Sequence, residues 1–132
     1  MTLEEIAKKV CSRGKGILAA DESTGTIAKR FQGINVENTE QNRIKFRQSL
    51  FNSEAMKAYI GGVILFDETI KQKTSFGMTV PELILKNNSL PGIKVDKGAK
   101  PFANSLDETI TEGLDGLRER LKEYYELGAK FT

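Results

Sequence analysis

The sequence contains no histidine and a single cysteine, Cys11. Without histidine the chain holds no Ser-His triad and no His-rich or Cys-rich metal centre. Cys11 has no partner for an internal disulfide, which fits a reducing compartment. No apolar run reaches the roughly 18 residues that span a bilayer. The charged, amphipathic N-terminus lacks the apolar stretch of a secretory signal. Neither G-x-x-x-x-G-K-[ST] nor G-x-G-x-x-G follows a strand, which disfavours nucleotides. The formal net charge is only +2, and nothing gathers it into a basic stripe, so nucleic acid is not an expected partner. What remains is ordinary globular material: 132 residues, 39% hydrophobic and 29% charged, enough for one domain with a core.

The organising stretch runs from Gly14 to Arg30, GKGILAADESTGTIAKR. Four apolar residues, Ile17 to Ala20, follow a glycine and stop at Asp21-Glu22-Ser23-Thr24, after which Ile27 to Phe31 is amphipathic. This pattern predicts a strand covered on both faces, a polar turn and a helix. Ser23, Thr24 and Thr26 supply capping oxygens for the helix start. The stretch has an echo: Gly16 to Ser23 matches Gly62 to Thr69 class for class, as repeated strand-to-helix units would.

Residues 2 to 11 read as a leading helix, with Leu3, Ile6, Ala7 and Val10 on one face and Thr2 as its cap. Another helix starts at Asn38-Thr39-Glu40 with Ile44, Leu50 and Phe51 on its apolar side; Arg43, Lys45 and Arg47 are read as its solvated face. Residues 60 to 66 form a second strand. Thr79-Val80-Pro81-Glu82 has capping-box spacing and opens a helix that runs to about Lys86. Pro91 to Gly98 is a third strand, with Ile93 and Val95 on one side and Lys94 and Asp96 on the other; that polar side is either a wet edge or the wall of a polar site. Residues 99 to 109 read as irregular. Leu114, Leu117, Leu121, Tyr124 and Tyr125 mark a long helix ending at Gly128, and Ala129 to Thr132 starts a fourth strand. Alternation of this kind implies an α/β fold with a parallel sheet: an open doubly wound sheet, or the first three βα units of a (β/α)8 barrel. Right-handed crossovers would bring Asp21, Asp67 and Lys94/Asp96 to one rim.

A rim carrying Asp21, Glu22, Ser23, Thr26, Arg30 and Lys94 suits a polyhydroxylated, phosphorylated ligand. Helix-start hydroxyls and N–H groups bind anions, Lys94 and Arg30 complement phosphate, and an ionised aspartate orders hydroxyls or takes a proton. Each has a plainer alternative: Asp21 as a helix cap, Lys94 as a surface lysine, Arg30 as a solvated helix residue.

KGILAADEST with GTIAKR behind it resembles the first strand of class I fructose-bisphosphate aldolases. So do ENTEQNR at 37–43, IGGVILFDET at 60–69, GIKVDKG at 92–98 and EGLDGLRERL at 112–121, in family order and at family spacing. The resemblance implies a cytosolic glycolytic enzyme on a (β/α)8 TIM barrel, usually a homotetramer. It implies reversible cleavage of fructose 1,6-bisphosphate to dihydroxyacetone phosphate and glyceraldehyde 3-phosphate through a lysine Schiff base, with no metal or other cofactor. It also implies a capacity to bind cytoskeletal filament proteins. By matching position, Asp21 corresponds to an active-site aspartate and Lys94 to a lysine facing the substrate. Arg30 corresponds to a substrate-contacting arginine, Ser23 to a serine near a sugar phosphate, and Asp96 to an orienting aspartate. Thr26 replaces a second serine with its hydroxyl kept. Asp67 stands where animal members carry histidine.

In the family the Schiff-base lysine, a carboxylate acid/base and the second phosphate site come from later strands. Residues 1–132 are therefore expected to be the N-terminal portion of a single barrel domain, with the nucleophile outside it. Alone they are expected to leave two unpaired sheet edges, to be unstable or oligomeric, and to lack activity. The competing expectation is a non-catalytic binding or assembly module.

Overall fold

A computed structural model describes residues 1–132. The leading helix α1 (Leu3–Val10) is closed by a capping box: the Thr2 hydroxyl accepts from Glu5 N, and the Glu5 carboxylate accepts from Thr2 N. Strand β1 (Gly16–Ala20) follows, then α2 (Thr24–Gln32), α3 (Glu40–Phe51) and α4 (Glu54–Tyr59). Strand β2 (Ile60–Leu65) leads into α5 (Asp67–Lys71) and α6 (Val80–Lys86), and β3 (Leu90–Ile93) follows. A short hairpin, β4 (Ala99–Pro101) and β5 (Thr109–Thr111), precedes α7 (Leu117–Glu126).

The main sheet is parallel, in the order β1-β2-β3, with β2 at its centre. Phe131 forms a parallel bridge to Gly92 on the outer side of β3, and Lys130 N donates to Pro91 O at 2.8 Å. The predicted beginning of a fourth strand is thus in place. The core lies between the sheet and its helices: Val63 and Leu65 of β2, Phe51 of α3, Met56 of α4, and Leu83 and Ile84 of α6 are fully buried.

Four expectations are corrected. β1 is not covered on both faces: it is hydrogen-bonded on one edge only, and Ile17 is 50% exposed. β3 ends at Ile93 rather than Gly98, because β2 turns into α5 at Asp67 and leaves residues beyond Lys94 no ladder to join; the last bond there is Lys94 N to Leu65 O, 2.9 Å. The long helix starts at Leu117, not near Leu114, which is 85% exposed. Gly116 adopts φ +65° and Gly113 φ +144°, neither of them helical. Residues 99–109 include β4 and the start of β5, strands too short for alternation to reveal.

Glycines let the layers touch. A Cβ at Gly92 would meet the Phe131 ring at 2.5 Å, and one at Gly61 would meet Val10 O, at the end of α1, at 2.6 Å. The ring is a side chain and can shift; the carbonyl is backbone and cannot. Gly61→Ala should therefore lower stability by about 1–3 kcal/mol, read as the urea midpoint. Gly16→Ala, whose nearest neighbour is 4.0 Å away, should leave the midpoint within error.

Candidate functional site

The carboxyl ends of β1, β2 and β3 open onto a cleft of about 760 Å³. Asp21, Glu22, Ser23 and Thr26 line it after β1, Phe66 and Asp67 after β2, and Lys94, Asp96, Lys97 and Gly98 after β3. Arg120 and Tyr124 of α7 close the far wall. Of the sequence-nominated residues, Asp21, Ser23, Thr26, Lys94 and Asp96 come together here. Arg30 does not line the cleft; its exposed guanidinium reaches back to Glu22, Nη1 to Oε1, at 2.7 Å.

Ser23 caps α2: its Oγ accepts from Thr26 N at 3.3 Å and lies 3.1 Å from Thr26 Oγ1. The start of a helix with two hydroxyls thus borders the cavity, beside Asp21, which takes part in no ion pair. Across from it the Lys94 ammonium pairs with Asp96 Oδ2, while Asp96 Oδ1 accepts from Gly98 N at 2.9 Å. The Lys94 hydrogen bond, helped by Gly98 N–H, holds the Asp96 carboxyl below the usual carboxylate range. Lys94 and Asp96 thus stand on the cleft wall, the polar-site alternative of the two that the sequence left open.

Two of the three residues read as solvated on α3 are the main correction to the site, while Lys45 is exposed as expected. Arg47 is 1% exposed and Arg43 is also buried. Arg47 Nε donates to Ala20 O at 3.2 Å and Nη2 to Glu22 O at 2.6 Å, so one guanidinium grips the backbone on either side of Asp21. Arg43 holds both carboxylate oxygens of Glu68, at 2.8 and 2.7 Å, and Nη1 donates to Asn38 O and Oδ1. Burial pushes the Arg47 guanidinium down from its ordinary value, with Glu22 opposing, whereas the Glu68 hydrogen bonds push Arg43 up. A signal for Arg47 exists in the sequence: it lies three residues after Ile44 and four before Phe51, on the buried stripe.

Sequence reasoning also missed α7's part. Arg120 Nη1 donates to Val95 O at 2.8 Å, between Lys94 and Asp96, and Nη2 donates to Gly113 O. Tyr124 OH donates to Asp67 Oδ1 at 2.9 Å, and Lys71 joins Asp67 to Glu123 at 2.9 and 3.0 Å. Asp67 lines the cleft, yet its carboxylate is engaged by α5 and α7.

A parallel βα sheet with charged and hydroxyl side chains gathered at its strand ends defines an α/β protein, with a polar cleft where parallel sheets generally hold their ligands. The sequence matches the family "Glycolytic: Fructose-bisphosphate aldolase class-I" over residues 2–132. It is 54% identical over 130 residues to a probable fructose-bisphosphate aldolase class 1 of Xanthomonas campestris pv. campestris, covering 98% of this chain and 39% of that one. It is also 54% identical to fructose-bisphosphate aldolase 1 of Toxoplasma gondii and to the cytosolic fructose-bisphosphate aldolase 7 of Arabidopsis thaliana, in each case over 98% of this chain and 36% of the relative. A fructose-bisphosphate aldolase from Plasmodium falciparum, solved in complex with TRAP and a small-molecule inhibitor, superposes with a TM-score of 0.92 at 50% identity, over 96% of this chain and 37% of that one. The chain belongs to the class I fructose-bisphosphate aldolase family, and it spans 36–39% of the length of these relatives. No helix is long and apolar enough to cross a membrane.

Burial would raise the Asp67 carboxyl, but the hydrogen bonds from Lys71 and Tyr124 outweigh it and hold the group below its ordinary value. A depressed carboxyl contributes stability above its unfolded pKa, about 4, and loses it as pH falls through the lower folded value. Asp67→Asn should therefore lower the Tm most above pH 5, with the gap to the unsubstituted protein narrowing toward pH 2 in thermal melts.

Proposed function

We propose that residues 1–132 form the first three βα units of a (β/α)8 barrel domain in a class I fructose-bisphosphate aldolase. The complete enzyme would cleave fructose 1,6-bisphosphate reversibly into dihydroxyacetone phosphate and glyceraldehyde 3-phosphate. The observation that carries this reading is the convergence of Asp21, Ser23, Thr26, Lys94 and Asp96 on one cleft, brought from two non-adjacent strands of the sheet.

In that role the cleft supplies one side of the substrate site. Asp21 orders the sugar hydroxyls and accepts a proton as the carbon–carbon bond breaks. Lys94 sets a positive charge against a phosphate, with Asp96 fixing the direction of its ammonium. Ser23, Thr26 and the N–H groups opening α2 add donors for an anionic oxygen. Arg30 serves by holding Glu22 through its guanidinium. The electron sink for the carbanion is a protonated Schiff base on a lysine outside these residues. Homotetrameric assembly goes with this reading, and so does a cytoplasmic location, the latter alone supported by the cytosolic relative from Arabidopsis. The phosphorylated sugar is the substrate, and no cofactor takes part.

The test is made in the complete enzyme carrying these residues. The enzyme should cleave fructose 1,6-bisphosphate, and Asp21→Ala should lower kcat at least ~100-fold, the scale of a lost general acid–base group. Lys94→Met should raise KM. Borohydride added with substrate should leave no adduct on any lysine of residues 1–132. Absence of cleavage would refute the assignment, and an adduct on Lys94 would make it the nucleophile rather than a phosphate partner.

A further inference from the structure

We propose that Arg47 is the positioning residue of Asp21, acting on it through the backbone. The inference rests on the reading of the cleft given above and adds to it a residue that never touches the substrate.

Three observations converge on Arg47. Its guanidinium donates to Ala20 O and Glu22 O, at 3.2 and 2.6 Å. Those carbonyls belong to the peptide plane that enters Asp21 and the plane that leaves Glu22. A planar fork bound to both fixes the span between them, and with it the direction in which the Asp21 side chain leaves the backbone. The charge around the turn is also sorted. Glu22 Oε2 lies 3.7 Å from Arg47 Nη2 and Glu22 Oε1 lies 2.7 Å from Arg30 Nη1, so the neighbouring carboxylate is neutralised by two arginines. Asp21 is left as the acidic group of this turn without an ion pair, on the cleft wall.

The third observation is that Arg47 is a poor choice for packing alone. It is 1% exposed, and its Nη1 is buried with no hydrogen-bond partner. Burying a charge with one donor unpaired is costly, and an apolar side chain of similar volume would fill the space between α3 and β1 at least as well. What an apolar side chain cannot do is hold two carbonyls at once. β1 ends at Ala20, so no neighbouring strand pins Asp21 and Glu22 from there on.

Arg47→Lys decides the matter, since an ammonium keeps the charge but cannot reproduce the two-pronged grip. Two readouts separate positioning from general stability. In amide hydrogen exchange, Thr26 and Ile27, whose N–H groups donate to Ser23 Oγ and Ser23 O at the far end of the turn, should exchange at least about tenfold faster in Arg47→Lys, with the amides of β2 unchanged. In the complete enzyme, kcat should fall about 10- to 100-fold, the scale of a misplaced reacting group, with KM within about threefold. Combined with Asp21→Ala, the lysine substitution should cost nothing further, because a residue acting only through Asp21 has nothing left to position. Arg47→Gln is the second variant should the lysine fail to fold. Unchanged exchange at Thr26 and Ile27, a kcat within twofold of the unsubstituted enzyme, or additive losses in the double variant would each overturn the proposal. If the unsubstituted enzyme does not cleave fructose 1,6-bisphosphate, the proposed function falls, while the exchange measurement still decides whether Arg47 holds the turn.

Discussion

A parallel strand that ends in mid-protein leaves backbone carbonyls with no neighbour, and buried carbonyls must find donors elsewhere. That constraint governs the whole rim of this molecule. Leu65 O, at the end of β2, is taken by Lys94 N. Past β1, Ala20 O and Glu22 O are taken by Arg47. Past β3, Val95 O is taken by Arg120. The polar side chains that give the cleft its chemistry grow from these same few residues. Satisfying the strand ends and aiming the functional groups are therefore one structural problem, solved largely by guanidinium groups from the helices behind.

Arginine suits this task for a physical reason. Its planar fork places several N–H groups at fixed angles, so a single side chain satisfies two carbonyls and resists rotation of the backbone between them. Tyr124 and Lys71 do similar work on Asp67, through its side chain rather than its backbone. The result is a cleft in which most charged groups are committed to neighbours, with Asp21 outside every ion pair. That arrangement leaves the acidic group of the β1 turn unpaired on the cleft wall, beside the hydroxyls that open α2.

Much of this was legible in the sequence. The apolar runs that stop at Asp21 and Asp67 locate the strand ends, the Thr79–Glu82 capping box locates α6, and Ala129 to Thr132 announces the next strand. These signals are local: each depends on hydrophobic pattern or on capping within a few residues. What escaped depends on contacts far apart in the chain. Arg43 and Arg47 were read as solvated because charge on a helix usually is, and their partners at Glu68 and at Ala20 and Glu22 lie more than twenty residues away. Arg120 escaped for the same reason, since its carbonyl partner Val95 is 25 residues distant. β4 and β5, at three residues each, are too short to show a period, and the exposure of β1 follows from which strand stands beside it, which no local pattern encodes.

Helix α3 carries Arg43 and Arg47 four positions apart, one toward the turn after β2 and the other toward the turn after β1. One helix thus braces the turns after two neighbouring strands at once. A displacement of α3 would be felt at both, so the helix ties together two stretches of backbone that share no hydrogen-bond ladder of their own.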